Sequence, residues 1–386
     1  MFKLIFQILP FVFAGMLMGV FVLPAKVKVR AQAIWAMVFL ACATKFVGFG
    51  VFGGDVFNPE LPEKFIWLWN WAYSGMCILL ALALPWALVC LCARRTRWVS
   101  GWRAYGRVAL PALAWSLAAW GLYNGIKTPE TVEVPLACEH LPAELEGYRI
   151  LHLTDIHVSA AARAWRTQAI VDRANAAGAD LVVCTGDIVD GLPRHQTRNV
   201  APLRGLQAKD GVLFCTGNHE YYSDYWGWSG QFDRWNFRFL SNAWTSPRPG
   251  LVVAGVDDAA SNFNAKGDRY GPFPSLDRAF AGAPEGAFRI LLQHRPYLNF
   301  AVFGERPTAR FDLQLSGHTH GGIAPGLRPI VKSCNHGYVR GLYRLANGAQ
   351  LYVSPGAGQW AGFPVRFFND PEITVFTLHR AKGTVQ

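Results

Sequence analysis

The chain has 386 residues, too many for one ordinary domain. Hydrophobic residues make up 52% and charged residues only 16%, which sets it apart from typical soluble proteins. The net charge is +11, but the first 125 residues hold 11 Lys and Arg against 3 Asp and Glu, and the remainder 26 against 23. A nucleic-acid binder carries its cations on its binding domain; here the excess lies between apolar runs, so no nucleic-acid partner is expected.

Four apolar runs come first, Leu4–Leu23, Ala31–Val51, Phe65–Cys92 and Val108–Tyr123. About 20 apolar residues cross a bilayer, so the lipid bilayer is the first expected partner. The fourth run is short and contains Pro111. Lys45, inside the second, is costly at the bilayer centre and is expected to snorkel to an interface or to mark an earlier end of the span. The first run has no clear small-residue cleavage site and reads as a retained anchor. The loops alternate in charge: basic (Lys26, Lys28, Arg30), acidic on balance (Asp55, Glu60, Glu63, Lys64), then basic (Arg94, Arg95, Arg97, Arg103, Arg107). Basic loops stay in the cytoplasm. Four spans would then place the remainder on the non-cytoplasmic side of a cell (inner) membrane, with Trp67, Trp69, Trp71, Trp98 and Trp102 in interfacial belts. The eight cysteines form no C-x-x-C pair and read as buried free thiols.

After Gly125, Pro129, Pro135 and Pro142 punctuate what reads as a polar linker. Strand-like runs follow at Tyr148–Thr154, Leu181–Thr185, Val212–Thr216, Leu251–Val256, Phe288–Gln293, Phe311–Ser316, Gln350–Ser354 and Ile373–Leu378. An amphipathic helix over Ala161–Ala177 is closed by Gly178. The alternation implies an α/β domain.

Polar residues able to bind metal stand where these strands stop. They occur in Thr154-Asp155-Ile156-His157, Gly186-Asp187, Gly217-Asn218-His219-Glu220, His294 and Gly317-His318-Thr319-His320. Ligands of open α/β sheets bind outside the carboxyl ends of strands, so these sites are expected to converge on one sheet edge. Carboxylate, imidazole and amide oxygen together favour Mn, Fe or Zn over calcium. Alternate residues of an extended segment point the same way, so Asp155 with His157, and His318 with His320, could each grip one ion. Gly186, Gly217 and Gly317 would let the backbone turn sharply.

These ordered blocks resemble the calcineurin-like metallophosphoesterase superfamily. GNHEYY at 217–222, GHTHGG at 317–322, SPGAGQW at 354–360 and PVRFFNDPEIT at 364–374 resemble its membrane-anchored bacterial branch. The apolar runs give N-terminal transmembrane helices (1–124) and the proline-punctuated stretch a linker and domain entry (125–147); the resemblance implies a four-layer α/β/β/α metallophosphoesterase sandwich (148–386). It implies two divalent or mixed-valence transition metal ions, Mn with Fe or Zn as alternatives. Asp155, His157, Asp187 and His320 would hold one ion, and Asp187, Asn218, His294 and His318 the other, with Asp187 bridging. His219 would be the general acid, kept protonated by Glu220 or another carboxylate. Ile323 departs from the branch, which often has a polar residue after GHTHGG.

The expected activity is hydrolysis of a phosphoester or pyrophosphate on a lipid-linked substrate; a non-catalytic scaffold and a nuclease are the alternatives. Several further residues are open. His152 reads as a structural strand histidine. Tyr221, Tyr222, Tyr225, Trp226 and Trp228 form either a binding wall or sandwich packing. Arg295 and Arg366 either bind phosphate or are solvated.

Overall fold

The computed structural model describes residues 2–25, 28–53, 58–93, 99–235, 237–262 and 271–381. Lys26, Asp55, Arg94, Arg95, Arg97 and Trp98, named above for topology, lie outside these. The chain forms two compact units, one of Met1–Gly125 with Ala361–Val365, the other of Ile126–Trp360 with Arg366–Gln386.

All four apolar runs of the first unit are helical. Helix α1 (Phe2–Leu17) continues through a π turn to Val22. Helices α2 (Val29–Ala43) and α3 (Lys45–Phe52) meet at a 51° bend. Then come α4 (Glu63–Cys92) and α5 (Val99–Ile126). Two helical stretches among the described residues, Leu4–Val22 and α4, are long and apolar enough to cross a membrane, and α2 with α3 makes a third if read as one broken span. Helix α5 is outside that set: Arg103, Arg107 and four glycines dilute its apolar run.

Helix α2 does end before Lys45, at Ala43, but Lys45 does not reach water. It is fully buried just after the bend. Its Nζ donates to the Gly362 carbonyl at 2.6 Å and lies 4.4 Å and 4.6 Å from the ring centres of Phe46 and Tyr73. A fixed carbonyl and two π faces replace water around the ammonium.

The second unit contains two six-stranded sheets. The first has the order β1 (Glu130–Cys138), β12 (Glu372–Arg380), β2 (Arg149–Leu153), β3 (Leu181–Thr185), β4 (Val212–Cys215), β5 (Arg238–Phe239). The second runs β10 (Gly341–Arg344), β11 (Gln350–Val353), β9 (Leu313–Ser316), β8 (Phe288–Leu292), β7 (Leu251–Gly255), β6 (Ala243–Arg248). Strands β2, β3 and β4 are neighbours and parallel, as are β7, β8 and β9.

The central strands are mostly apolar because both faces are covered. Side chains alternate between faces: Ile150, Leu181, Val183 and Leu213 meet Val253, Ile290, Leu292 and Leu313 between the sheets. Leu151, Leu153, Val182 and Phe214 face helices α6 (Ala164–Ala176), α7 (Pro193–Val200) and α9 (Tyr225–Asp233). On the far side, Val252, Ala254 and Leu291 pack under the short α10 (Leu276–Ala279) and its loops. The layer order is α/β/β/α, with the last layer thin.

Strand β1 lies in the stretch that reads as a linker. Proline fits only an edge strand, and Pro135 sits on the sheet's edge, pairing in parallel with Thr377 of β12. The described cysteines are all free; Cys92 and Cys334 are exposed rather than buried.

Candidate metal centre

The site lies where two sheets end, not one. Asp155 and His157 follow β2, Asp187 follows β3, and Asn218 and His219 open α8 (Asn218–Ser223) after β4. His294 follows β8, and His318 and His320 follow β9 of the second sheet.

Strand alternation is not what brings the side chains together. Asp155, His157, Asp187, His318 and His320 all have left-handed backbone, with φ of 51°, 50°, 51°, 70° and 47°. Such residues are strained outside glycine, and strain of this kind concentrates at functional sites. The paired histidines consequently separate. His320 joins Asp155 and His157, while His318 joins Asp187 and His294. The glycines also differ from expectation. Gly186 does turn at φ 83°, but Gly217 and Gly317 are needed for space: a Cβ there would lie 2.2 Å from an Asp187 oxygen and 2.1 Å from an Asp155 oxygen.

In the first group His157 Nε2 and His320 Nε2 stand 3.2 Å apart, with Asp155 Oδ1 at 3.9 Å and 3.6 Å from them. In the second, His294 Nε2 lies 3.2 Å from both Asp187 Oδ2 and His318 Nδ1. Asp187 Oδ2 is also 3.8 Å from His157 Nε2, so one carboxylate reaches both groups. The Oδ1 of Asn218, in a buried residue, has no hydrogen-bond partner, an acceptor that costs free energy unless something binds it. Ring nitrogens converging on shared carboxylates, beside an orphan amide oxygen, suit cations. The donor set fits two of them.

Supporting residues fix the imidazoles. His157 Nδ1 donates to Asp190 Oδ1 at 2.9 Å and His294 Nδ1 to the Thr185 carbonyl at 2.7 Å. In each ring this leaves the Nε2 lone pair facing the cluster. His152 is buried with Nε2 2.7 Å from Thr185 Oγ1, so this strand histidine braces the residue that orients His294.

His219 forms a third such group, with His157 and Asp187. Its Nδ1 is 2.6 Å from Asp190 Oδ1, its Nε2 is 3.9 Å from Asp187 Oδ2, and its amide donates to Asp187 Oδ1 at 2.8 Å. Burial works against a charged imidazole, yet the Asp187 and Asp190 carboxylates outweigh it and lift His219 to about 9. Asp190 is itself held well below the usual carboxylate range, because His157 and His219 outweigh its burial. Glu220 adds to the lift on His219 only through its charge, as the smallest of the contributions, and not through a hydrogen bond. Its oxygens accept from the amides of Gly217, Asp187 and Ile188 at 2.7–3.0 Å, tying the Gly-Asn-His-Glu turn to the Gly-Asp turn. Asp190 is the residue that the motifs do not single out; its signal is a second carboxylate three positions after Asp187.

The aromatic cluster divides. Tyr221, Tyr225 and Trp228 are buried, whereas Tyr222 and Trp226 are exposed. Tyr222 and Trp360 flank His219, with ring centres 5.4 Å and 6.3 Å away. Arg366 is not solvated: it is buried, and its Nη2 holds the carbonyls of Pro355, Gly356 and Gly358 and lies 3.3 Å from Nδ1 of the candidate ligand His320. Arg295 is partly exposed, its Nε fixed by Asp258 at 2.9 Å.

Residues 148–322 match the family profile described as calcineurin-like phosphoesterase. The "Uncharacterized metallophosphoesterase YkuE" of Bacillus subtilis is 30% identical over 257 residues, covering 64% of this chain and 85% of that protein. The chain belongs to the calcineurin-like phosphoesterase family. A "Transmembrane protein with metallophosphoesterase domain" from Danio rerio is 33% identical over 69% of this chain. An "Uncharacterized metallophosphoesterase" from Helicobacter pylori is 32% identical over 67% of it. The chain spans 61% and 66% of the lengths of these last two relatives. Calcineurin-like phosphoesterase membership implies a dinuclear divalent-metal site, and the His/Asp groups are its candidate ligands.

Proposed function

We propose that this protein is a dinuclear metal-dependent phosphoesterase that hydrolyses a phosphoester or pyrophosphate on a lipid-linked substrate. The observation that carries the hydrolytic reading is the reach of Asp187 to both ligand groups, with His219 held by Asp190 at their side. Asp155, His157, Asp187 and His320 would hold one ion, and Asp187, Asn218, His294 and His318 the other; manganese is the proposed metal. Ions held there supply positive charge against the phosphoryl oxygens and acidify water for attack.

The chain's own residues do the rest. Asp190 holds Nδ1 of His219, which leaves the opposite edge of the ring to face the leaving group. Water adds to phosphorus and gives up one proton to solvent, the P–O bond to the leaving group breaks with its electron pair going to the departing oxygen, and His219 gives its proton to that oxygen. The imidazole then takes up a proton from solvent. Asp187, which reaches both groups, keeps them at a fixed separation.

The lipid-linked reading is supported by the apolar helices and by exposed Tyr222 and the half-buried Trp360 beside His219. We place the protein in a cell (inner) membrane, multi-pass, with the second unit on the non-cytoplasmic side. The purified chain, loaded with Mn, is to be assayed on a panel of phospholipid, polyprenyl-pyrophosphate and soluble phosphoesters. Turnover of a lipid-linked member above the soluble ones is expected. Turnover confined to soluble esters removes the lipid-linked substrate, and no turnover of any member removes the hydrolase. For orientation, a C-terminal alkaline phosphatase fusion should be active and a green fluorescent protein fusion dark; the reverse pattern places the second unit in the cytoplasm.

A further inference from the structure

We propose that the rim of the second unit formed after His294 and His320 is a docking surface for an anionic phospholipid bilayer. Three observations meet there. The first is apolar exposure next to the ligand loops. Helix α11 (Arg328–Cys334) has no buried residue, and Leu327 and Ile330 are exposed, Ile330 at 61%. Tyr297, three residues after His294, is also exposed and its ring centre lies 3.9 Å from that of His336, just past α11. These segments form one continuous surface.

The second observation is Phe368. It is 78% exposed and has φ 54°, a left-handed conformation that a bulky residue adopts only under constraint. The constraint is visible on both sides. The Phe367 amide donates to the Ile323 carbonyl at 3.0 Å, and Asn369 Nδ2 donates to the His320 carbonyl. The fold therefore holds an aromatic ring outward, beside the Gly-His-Thr-His loop, at a backbone cost that water does not repay. Burial in an apolar phase would repay it.

The third is charge. Residues 313–369 contain five Lys and Arg and no Asp or Glu. Arg328 and Lys332 stand exposed on α11 among the apolar side chains and pair with no carboxylate among the described residues. Of the acids flanking it, Asp312 accepts from the Arg289 amide at 2.7 Å, Asp370 is paired with Lys127 at 2.6 Å, and Glu305 caps α10. Exposed apolar side chains interspersed with unpaired cations are the composition of an interfacial membrane contact, and cations select anionic headgroups. This goes beyond the hydrolysis proposed above, and its test needs no turnover.

The test uses the full chain in lipid nanodiscs. Exposed Cys92 and Cys334 are replaced by serine, and a fluorophore is attached at Ile330→Cys or, as a control, at Gln168→Cys on α6. In discs containing phosphatidylglycerol, lipid-borne nitroxide should quench the label at 330 severalfold more than at 168, and aqueous iodide should quench it less. In purely zwitterionic discs the difference should shrink. Equal iodide quenching at both positions overturns the proposal. So does protection of 330 from iodide and nitroxide alike, which would mean a protein or a second copy covers it. Equal lipid quenching in both kinds of disc overturns the selection for anionic lipid.

Discussion

Ile150 and Asp155 are five residues apart along one strand and its loop, both buried, and they obey opposite rules. Between the sheets, Ile150, Leu181, Ile290 and Leu313 are apolar, in regular strand pairing, and interchangeable in kind with one another. At the strand ends, Asp155, His157, Asp187, His318 and His320 are polar, near-fully enclosed by side chains, and in left-handed backbone. The first region is stabilised by removing hydrocarbon from water. The second gains nothing from burial, and its carboxylates and imidazoles are costly there unless a partner is bound. The difference teaches that the sheets are the rigid support, and that the ligands are an imposition the support tolerates.

That contrast can be broken from either side. The largest effect on function is expected at Asp187, which reaches both groups: Asp187→Ala should lose bound metal and activity together on every substrate, read by elemental analysis and turnover. His219→Ala should keep its metal and lose about 10²–10⁴-fold in rate, the usual worth of general acid catalysis. Its loss should shrink on p-nitrophenyl esters, whose leaving group needs little protonation. Loss of metal in His219→Ala would instead make it a ligand. Asp190→Asn should cost about 10–100-fold in activity or metal affinity, as removal of a residue that orients ligands does, because it orients His157 and His219 at once. From the other side, Ile290→Ala should lower stability by about 2–5 kcal/mol, read as a fall in thermal midpoint, while the folded fraction keeps full metal and rate per molecule.

Those two regions are not equally legible in the sequence. The core strands show themselves as short apolar runs, and the ligands as polar residues immediately after them. That placement is why Asp155, Asp187, His294 and His318 stand out from the amino-acid order alone. The partition of strand ends between two sheets does not, because an apolar run does not say which sheet it joins. Nor do the left-handed residues: Asp and His enter that region more readily than most, but residue type alone does not set φ. Asp190 escapes a reading by motif because a carboxylate is only an orienting group once an imidazole is seen against it. Strand β1 escapes because Pro135 is a turn signal everywhere except on a sheet edge. In the first unit, composition alone shows helices, and nothing in it announces that Lys45 finds the Gly362 carbonyl.

The central claim is a pair of cations held between two sheet edges and shared through Asp187. Anomalous diffraction from crystals of the Mn-loaded full chain tests it directly. Two peaks are expected about 3.5–4 Å apart, the usual spacing of two-metal sites, one against Asp155, His157 and His320, the other against Asn218, His294 and His318, with Asp187 touching both. A single peak, or a second peak whose protein ligands include His219 in place of Asn218, would contradict it.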